Sequence, residues 1–182
     1  MIDSIFTAWL ETQFQESMAF AARSSVLSLA PVPAPVAGSP PCKYIAKFDC
    51  DGLSKTNEGI AVCDRHLVGI FFPEHYLRTS CGPGEVLTWL EPQTEFQPNV
   101  NPPFCCVGHI APGMTLLSLL HQLFTMITWQ RFTPREDDAL NKAACSWARK
   151  HLDRFPIDPR RSMLDARSDR RGPEDIRAND HE

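Results

Sequence analysis

The 182-residue chain has no C-x-x-C pair among its seven cysteines, no apolar run long enough to span a bilayer, and no basic start leading into an apolar core. Without paired cysteines at ligand spacing, a structural zinc site is not expected, and nothing in the composition calls for another metal or a cofactor. Without a long apolar run there is no membrane-spanning helix to place. The N-terminal stretch carries Asp3, Glu11 and Glu16 instead of lysines or arginines, so a secretory leader is not expected either. A strong excess of positive charge is also missing. The net charge is −4 at pH 7, which gives no electrostatic reason to expect nucleic acid as a partner. Cys42, Cys50, Cys63, Cys81, Cys105, Cys106 and Cys145 are odd in number and follow no disulfide framework, so a cytoplasmic protein with mostly buried free thiols is the plain reading.

What is present suffices for one core. Apolar residues make up 43% of the chain, enough for a compact unit of ~150 residues with appendages. Residues 3 to 29 read as a helix, within an N-terminal segment taken as 1–30. Phe6, Leu10, Phe14 and Met18 recur every four residues, Trp9 stands beside them, and Asp3 or Ser4 is placed to cap the start. The stretch Ala30 to Pro41 holds five prolines and one glycine, so 31–42 reads as a stiff linker.

Strands follow at Tyr44 to Phe48, Ile60 to Val62, Leu67 to Phe72 and Val86 to Leu90, with turn chemistry between Asp51-Gly52 and Asn57 and a loop at 79–84. Four strands in succession without a helix imply an antiparallel meander. Leu116 to Ile127 is apolar on more than one face and should be a buried central helix. Thr133-Pro134-Arg135-Glu136 has the form of a capping box and predicts the start of a further helix that carries Leu140, Ala144, Trp147 and His151 on one face. From Arg154 the chain holds seven arginines, seven acidic residues and a single aromatic, Phe155, so 154–182 reads as a solvated tail. The expected fold class is α+β: an N-terminal helix, a four-stranded antiparallel meander, a long loop and two C-terminal helices.

The segment from Val86 to Gly108 runs Val-Leu-Thr-Trp-Leu, then Glu95-Phe96-Gln97-Pro98-Asn99-Val100, then Asn101-Pro102-Pro103-Phe104-Cys105-Cys106-Val107-Gly108. It resembles the ubiquitin-conjugating enzymes, in which a last strand runs into His-Pro-Asn-Val and a short loop leads to the catalytic cysteine between apolar residues. Phe71-Phe72-Pro73-Glu74-His75-Tyr76 is similar to the family's Phe-Pro-x-x-Tyr-Pro stretch. Pro134-Arg135-Glu136-Asp137-Asp138-Ala139-Leu140-Asn141 is similar to its Pro-Asn-Pro-Asp-Asp-Pro-Leu-Asn segment. The resemblance covers roughly residues 43–153. Gln97 stands where the family has histidine, the loop from Asn99 to Cys106 is one residue shorter than usual, and the N-terminal helix with its linker is unlike the family's short first helix. Compact loops of this kind resemble bacterial conjugating enzymes of antiphage operons. The resemblance implies a UBC-like fold, a transferase activity, and three protein partners: a ubiquitin-like modifier, an activating enzyme and a target.

A carrier of activated acyl groups needs a nucleophile that is also a fair leaving group, and a thiol is both. Cys105 and Cys106 compete for that role. Neighbours on an extended segment point to opposite sides, so one should face the core and the other solvent. The family pattern fits Cys106, with Cys105 in the apolar position. Asn99 matches the family asparagine, a donor for the oxyanion or a shaper of the loop. Asp138 matches an acidic position thought to act on the incoming lysine, although an acid in the first turn of a helix is also favoured by the dipole. Two other readings remain open. One is a non-catalytic variant of the same fold acting as a binding module. The other is a cysteine hydrolase using Cys106 with His109 or His121.

Overall fold

The computed structural model describes residues 3–34 and 36–165. Helix α1 spans Ser4–Ala21, and the Asp3 carboxylate accepts hydrogen bonds from the Ile5 and Phe6 N–H groups at its start. The helix packs in cis. Phe6 and Leu10 are buried, Trp9 packs against Phe72 and Tyr76, and the buried Gln13 side chain accepts from the Leu116 N–H at 2.9 Å.

The helix is shorter than its periodicity predicts. It stops at Ala21, and Leu27–Val32 forms strand β1 in place of the expected helical end at residue 29 and the first part of the linker. Ser24 makes the switch: its hydroxyl accepts from the Val26 and Leu27 N–H groups, and Leu27 and Leu29 then alternate inward. Pro31 is compatible with this strand because β1 lies at the sheet edge, where a missing N–H costs no ladder bond.

The four-stranded sheet has the order β1-β2-β5-β6, all antiparallel, with β2 at Lys43–Phe48, β5 at His66–Phe71 and β6 at Leu87–Glu91. The expected strand at Ile60 to Val62 is real but is not a member of that sheet. It forms β4 (Gly59–Cys63) in a separate hairpin with β3 (Gly52–Thr56), so the stretch read as a turn is mostly strand. Each sheet strand buries alternate residues: Leu27 and Leu29, then Tyr44, Ala46 and Phe48, then Val68 and Ile70, then Leu87 and Trp89. Together with α1 and helix α3 (Leu116–Ile127) they make the main core; α3 buries Leu116, Leu119, Leu120, Leu123, Phe124, Met126 and Ile127 and keeps Ser118 and His121 exposed on its outer face. The short helix α2 (Pro83–Val86) precedes β6.

Two further expectations change. The capping-box pattern at Thr133 does not open a helix: Glu136–Asp138 makes a single 3-10 turn, and helix α4 runs over Lys142–Lys150 with Asn141 as its N-cap. Leu140 therefore lies outside the helix and is exposed. The chain after Arg154 is also not a solvated tail through Asp165. Phe155 stacks on Trp129 with centroids 4.7 Å apart. The buried Asp158–Arg160 pair ties back to the β2–β3 connection through the Asp51 N–H and the Asp49 carbonyl, and Met163 is fully buried. Residues 166–182 of the expected tail lie outside the described residues. Met163→Ala should therefore destabilise the protein by about 2–4 kcal/mol, the range for truncating a buried methionine. A urea melt reads this directly, and an unchanged midpoint would mean that the segment does not contribute to the core.

Candidate active site

The segment that leaves β6 is held by a series of hydrogen bonds. Trp89 donates from its indole to the Pro92 carbonyl at 2.9 Å. Phe96 N–H bonds to the Leu53 carbonyl, and Lys55 N–H to the Thr94 carbonyl, which fastens the segment to the β3–β4 hairpin. At the root of this attachment lies a buried ionic pair, with His66 Nδ1 3.0 Å from Glu95 Oε2 and His66 Nε2 3.2 Å from the Cys50 carbonyl. Burial opposes the charged imidazole, but the Cys63 thiol and the Glu95 carboxylate outweigh it and push the His66 pKa up to about 10. Burial likewise pushes the Glu95 carboxyl up. Gly52 lies against the His66 ring, and a Cβ there would fall 2.7 Å from Cε1.

Gln97 comes next and is fully buried. Its amide donates to the Met126 and Arg131 carbonyls at 3.1 and 3.4 Å, and its oxygen accepts from the Asn99 N–H. The amide thus ties the segment to the end of α3 and to its own next turn. Those two carbonyls lie in the last turn of α3 and just beyond it, on either side of Trp129, which takes a positive φ of 60°. That conformation is unfavourable for a bulky residue. It is held by the aromatic cluster of Trp129, Phe132, Trp147 and Phe155.

Asn99 is tied at both ends of its side chain to Thr133: Nδ2 donates to Oγ1 at 2.7 Å, and Oδ1 accepts from the Thr133 N–H at 2.8 Å. Its carbonyl accepts from the Cys106 N–H at 2.9 Å. Between them, β7 (Val100–Asn101) and β8 (Phe104–Cys105) form a minimal hairpin turning at Pro102-Pro103, and the Pro103 carbonyl accepts from Trp89 N–H of β6. Cys105 is buried, and burial followed by the neighbouring Cys106 pushes its thiol up to about 12. Cys106 is half-buried, so the two cysteines divide between core and surface as alternation predicts. Beyond them Gly108 takes φ +98°, and the Arg131 guanidinium lies 3.7 Å from where a Cβ on it would stand.

Asp138 lies on the exposed 3-10 turn with its carboxylate 3.7 Å from the Arg135 guanidinium. The stretch that carries it is pinned near both ends to the loop before Cys106, through Thr133 to Asn99 and through Asn141 N–H to the Pro98 carbonyl. His109 and His121 are engaged elsewhere. His109 Nε2 is 3.5 Å from the Ser80 hydroxyl, and His121 packs against Phe20. Neither has a hydrogen bond to Cys106 among the described residues. Among the described residues, the groupings with metal-ligand character lie away from Cys106, at Cys63-His66-Glu95 and at His75-Cys81-Glu85. Thr133 and Arg131 escaped the sequence reading: Thr133 looked like a helix cap, and Arg131 follows a turn with no motif of its own.

Comparison with known proteins adds no identity: no family model matches the chain, and no relative is found among curated proteins. No helix among the described residues is long and apolar enough to cross a membrane.

Proposed function

We propose that the chain is a ubiquitin-conjugating-type transferase that carries a ubiquitin-like modifier as a thioester on Cys106. The observation that carries this reading is the loop from Gln97 to Cys106. A buried amide, a doubly bonded asparagine and a proline-turned hairpin hold one thiol at the surface and its neighbour in the core. The order of elements supports it as well: a helix, a sheet of four strands in chain order, Phe71 to Tyr76 before the last strand, the cysteine loop, then the buried α3. With strand β1 following α1 directly, the N-terminal region also loses most of its difference from the family pattern.

In this mechanism the Cys106 thiolate attacks the thioester carbonyl of the modifier held by an activating enzyme, whose own thiolate leaves. A target amine then attacks the new thioester, releasing the Cys106 thiolate and one proton as the amide forms. Asn99 and Thr133 fix the loop, and Asp138, on the stretch pinned beside it, is the acid assigned to the incoming amine by the resemblance. The placement in bacterial antiphage defence rests on the resemblance of the compact loop alone.

Incubation with activating enzyme, modifier and ATP should give a reducible adduct that needs all three. Cleavage of a conjugate without ATP would support the hydrolase, and stable non-covalent binding alone the binding module. Asn99 gives a finer test. Its amide is committed to Thr133, so its main effect is expected to be positional. Asn99→Asp keeps both links to Thr133, whose hydroxyl can donate instead, and should discharge to lysine within about 10-fold of wild type. Asn99→Ala should be slower by ~10² or more. Losses of ~10²–10³ in both would assign the oxyanion donor to Asn99.

A further inference from the structure

We propose that His75, Cys81 and Glu85 form a divalent-metal site whose mixed sulfur, nitrogen and oxygen donors select zinc(II). The three residues sit on the connection between β5 and β6, and their ligand atoms all lie within 4.8 Å of one another. Cys81 Sγ is 3.6 Å from His75 Nε2, and the same nitrogen is 3.4 Å from Glu85 Oε2. As a carboxylate hydrogen bond 3.4 Å is long, and one Nε2 cannot direct its single proton or lone pair at both partners. As edges of a tetrahedron the distances fit. Zinc–sulfur bonds of ~2.3 Å and zinc–nitrogen or zinc–oxygen bonds of ~2.0–2.1 Å place S and N about 3.6 Å apart, and N and O about 3.4 Å apart.

The geometry also separates this group from a hydrolytic triad. There the carboxylate holds the imidazole nitrogen remote from the nucleophile. Here the carboxylate and the thiol meet the same nitrogen, and all three ligand atoms lie within 4.8 Å of one another. The second cluster, Cys63-His66-Glu95, does the reverse, with Glu95 on Nδ1 and Cys63 near Nε2, and its imidazole is committed to an ion pair.

The surroundings suit a ligand set. Gly82 N–H bonds to Glu85 Oε1 at 3.2 Å, leaving Oε2 turned to His75, the kind of outer support that metal-binding carboxylates have. Cys81 is buried, and burial followed by the Glu85 charge pushes its thiol up. A bound cation would displace that proton and neutralise the thiolate. The His75 and Glu85 side chains are half-exposed, at 50% and 56%, so the ion can enter and a water can take the fourth position. Cys81 pairs through its backbone with Ile110, so the ion would brace the β5–β6 connection against the stretch that follows Cys106. The inference goes beyond the thioester reading and stands without it.

The test is titration of metal-stripped, full-length protein with Co(II), followed by competition with zinc. One equivalent should bind, with a thiolate-to-cobalt charge-transfer band that zinc removes, and zinc should raise Tm. Cys81→Ser should lose the band, and Glu85→Gln should weaken binding at least about 10-fold. Cys63→Ser and Cys106→Ser should keep it. Circular dichroism establishes that each metal-free variant is folded. If Cys81→Ser is not, Glu85→Gln and His75→Ala carry the test. No band at equimolar Co(II), or a band that survives Cys81→Ser, overturns the proposal.

Discussion

Cys106→Ala is expected to abolish the reducible adduct, while Cys105→Ala should load normally and be less stable. The two cysteines are joined by a single peptide bond, yet the hairpin treats them differently. Cys105 pairs with Val100 across β7–β8 and points into the core. With its pKa near 12, only about one part in 10⁵ is thiolate at pH 7, and no acyl donor can reach a sulfur so enclosed. Removing it leaves a small void worth about 1–2 kcal/mol. Cys106 lies on the other side of the chain, with its N–H fixed to the Asn99 carbonyl, and Arg131 lies over the nearby Gly108. Loading followed on a non-reducing gel, beside a urea melt of each variant, separates the two roles. If Cys105→Ala lost the adduct and Cys106→Ala kept it, the assignment from alternation would be wrong.

The division between Cys105 and Cys106 was legible because it depends on local geometry that any extended segment obeys. So were α3, apolar on more than one face, and the strands β2, β5 and β6, where one face is buried and the period is 2. What escaped depended on partners distant in sequence. Nothing near Leu27 says that the chain has left the helix, since its leucines fit either period. The switch needs Ser24 and an edge position beside β2. Thr133-Pro134-Arg135-Glu136 has a helix-capping pattern, but the Thr133 N–H and hydroxyl are taken by Asn99, 34 residues away. The stretch after Arg154 looked too charged to fold because its charges were counted singly. Asp158 and Arg160 neutralise each other in the interior and carry Met163 in with them.

The buried His66–Glu95 pair should make the protein lose stability as pH rises above neutrality. Both side chains are inaccessible to water, and the pair joins β5 to the start of the segment that carries Asn99 and Cys106. In the unfolded chain the imidazole titrates near 6.5. In the folded protein it holds its proton to about 10, because the Cys63 and Glu95 interactions outweigh burial. The native state therefore binds more protons than the unfolded state between those values. Stability contributed by His66 is fully present below pH ~6.5 and is lost as pH climbs through about 10, with a slope of up to about 1.4 kcal/mol per pH unit. Glu95 acts in the same sense, since its raised carboxyl also makes the native state the stronger proton binder above the ordinary carboxylate range. Urea midpoints between pH 6 and 10 should fall steadily, and His66→Gln should flatten the curve while lowering it at pH 6. Glu95→Ala removes one partner of a buried pair and should destabilise by about 3–5 kcal/mol at neutral pH. It should also loosen the Phe96–Leu53 attachment, so thioester loading should weaken even though Cys106 is intact. A flat pH profile in the wild type would show that the folded His66–Glu95 pair holds no more protons than the unfolded chain over this range, and would overturn the charged pair.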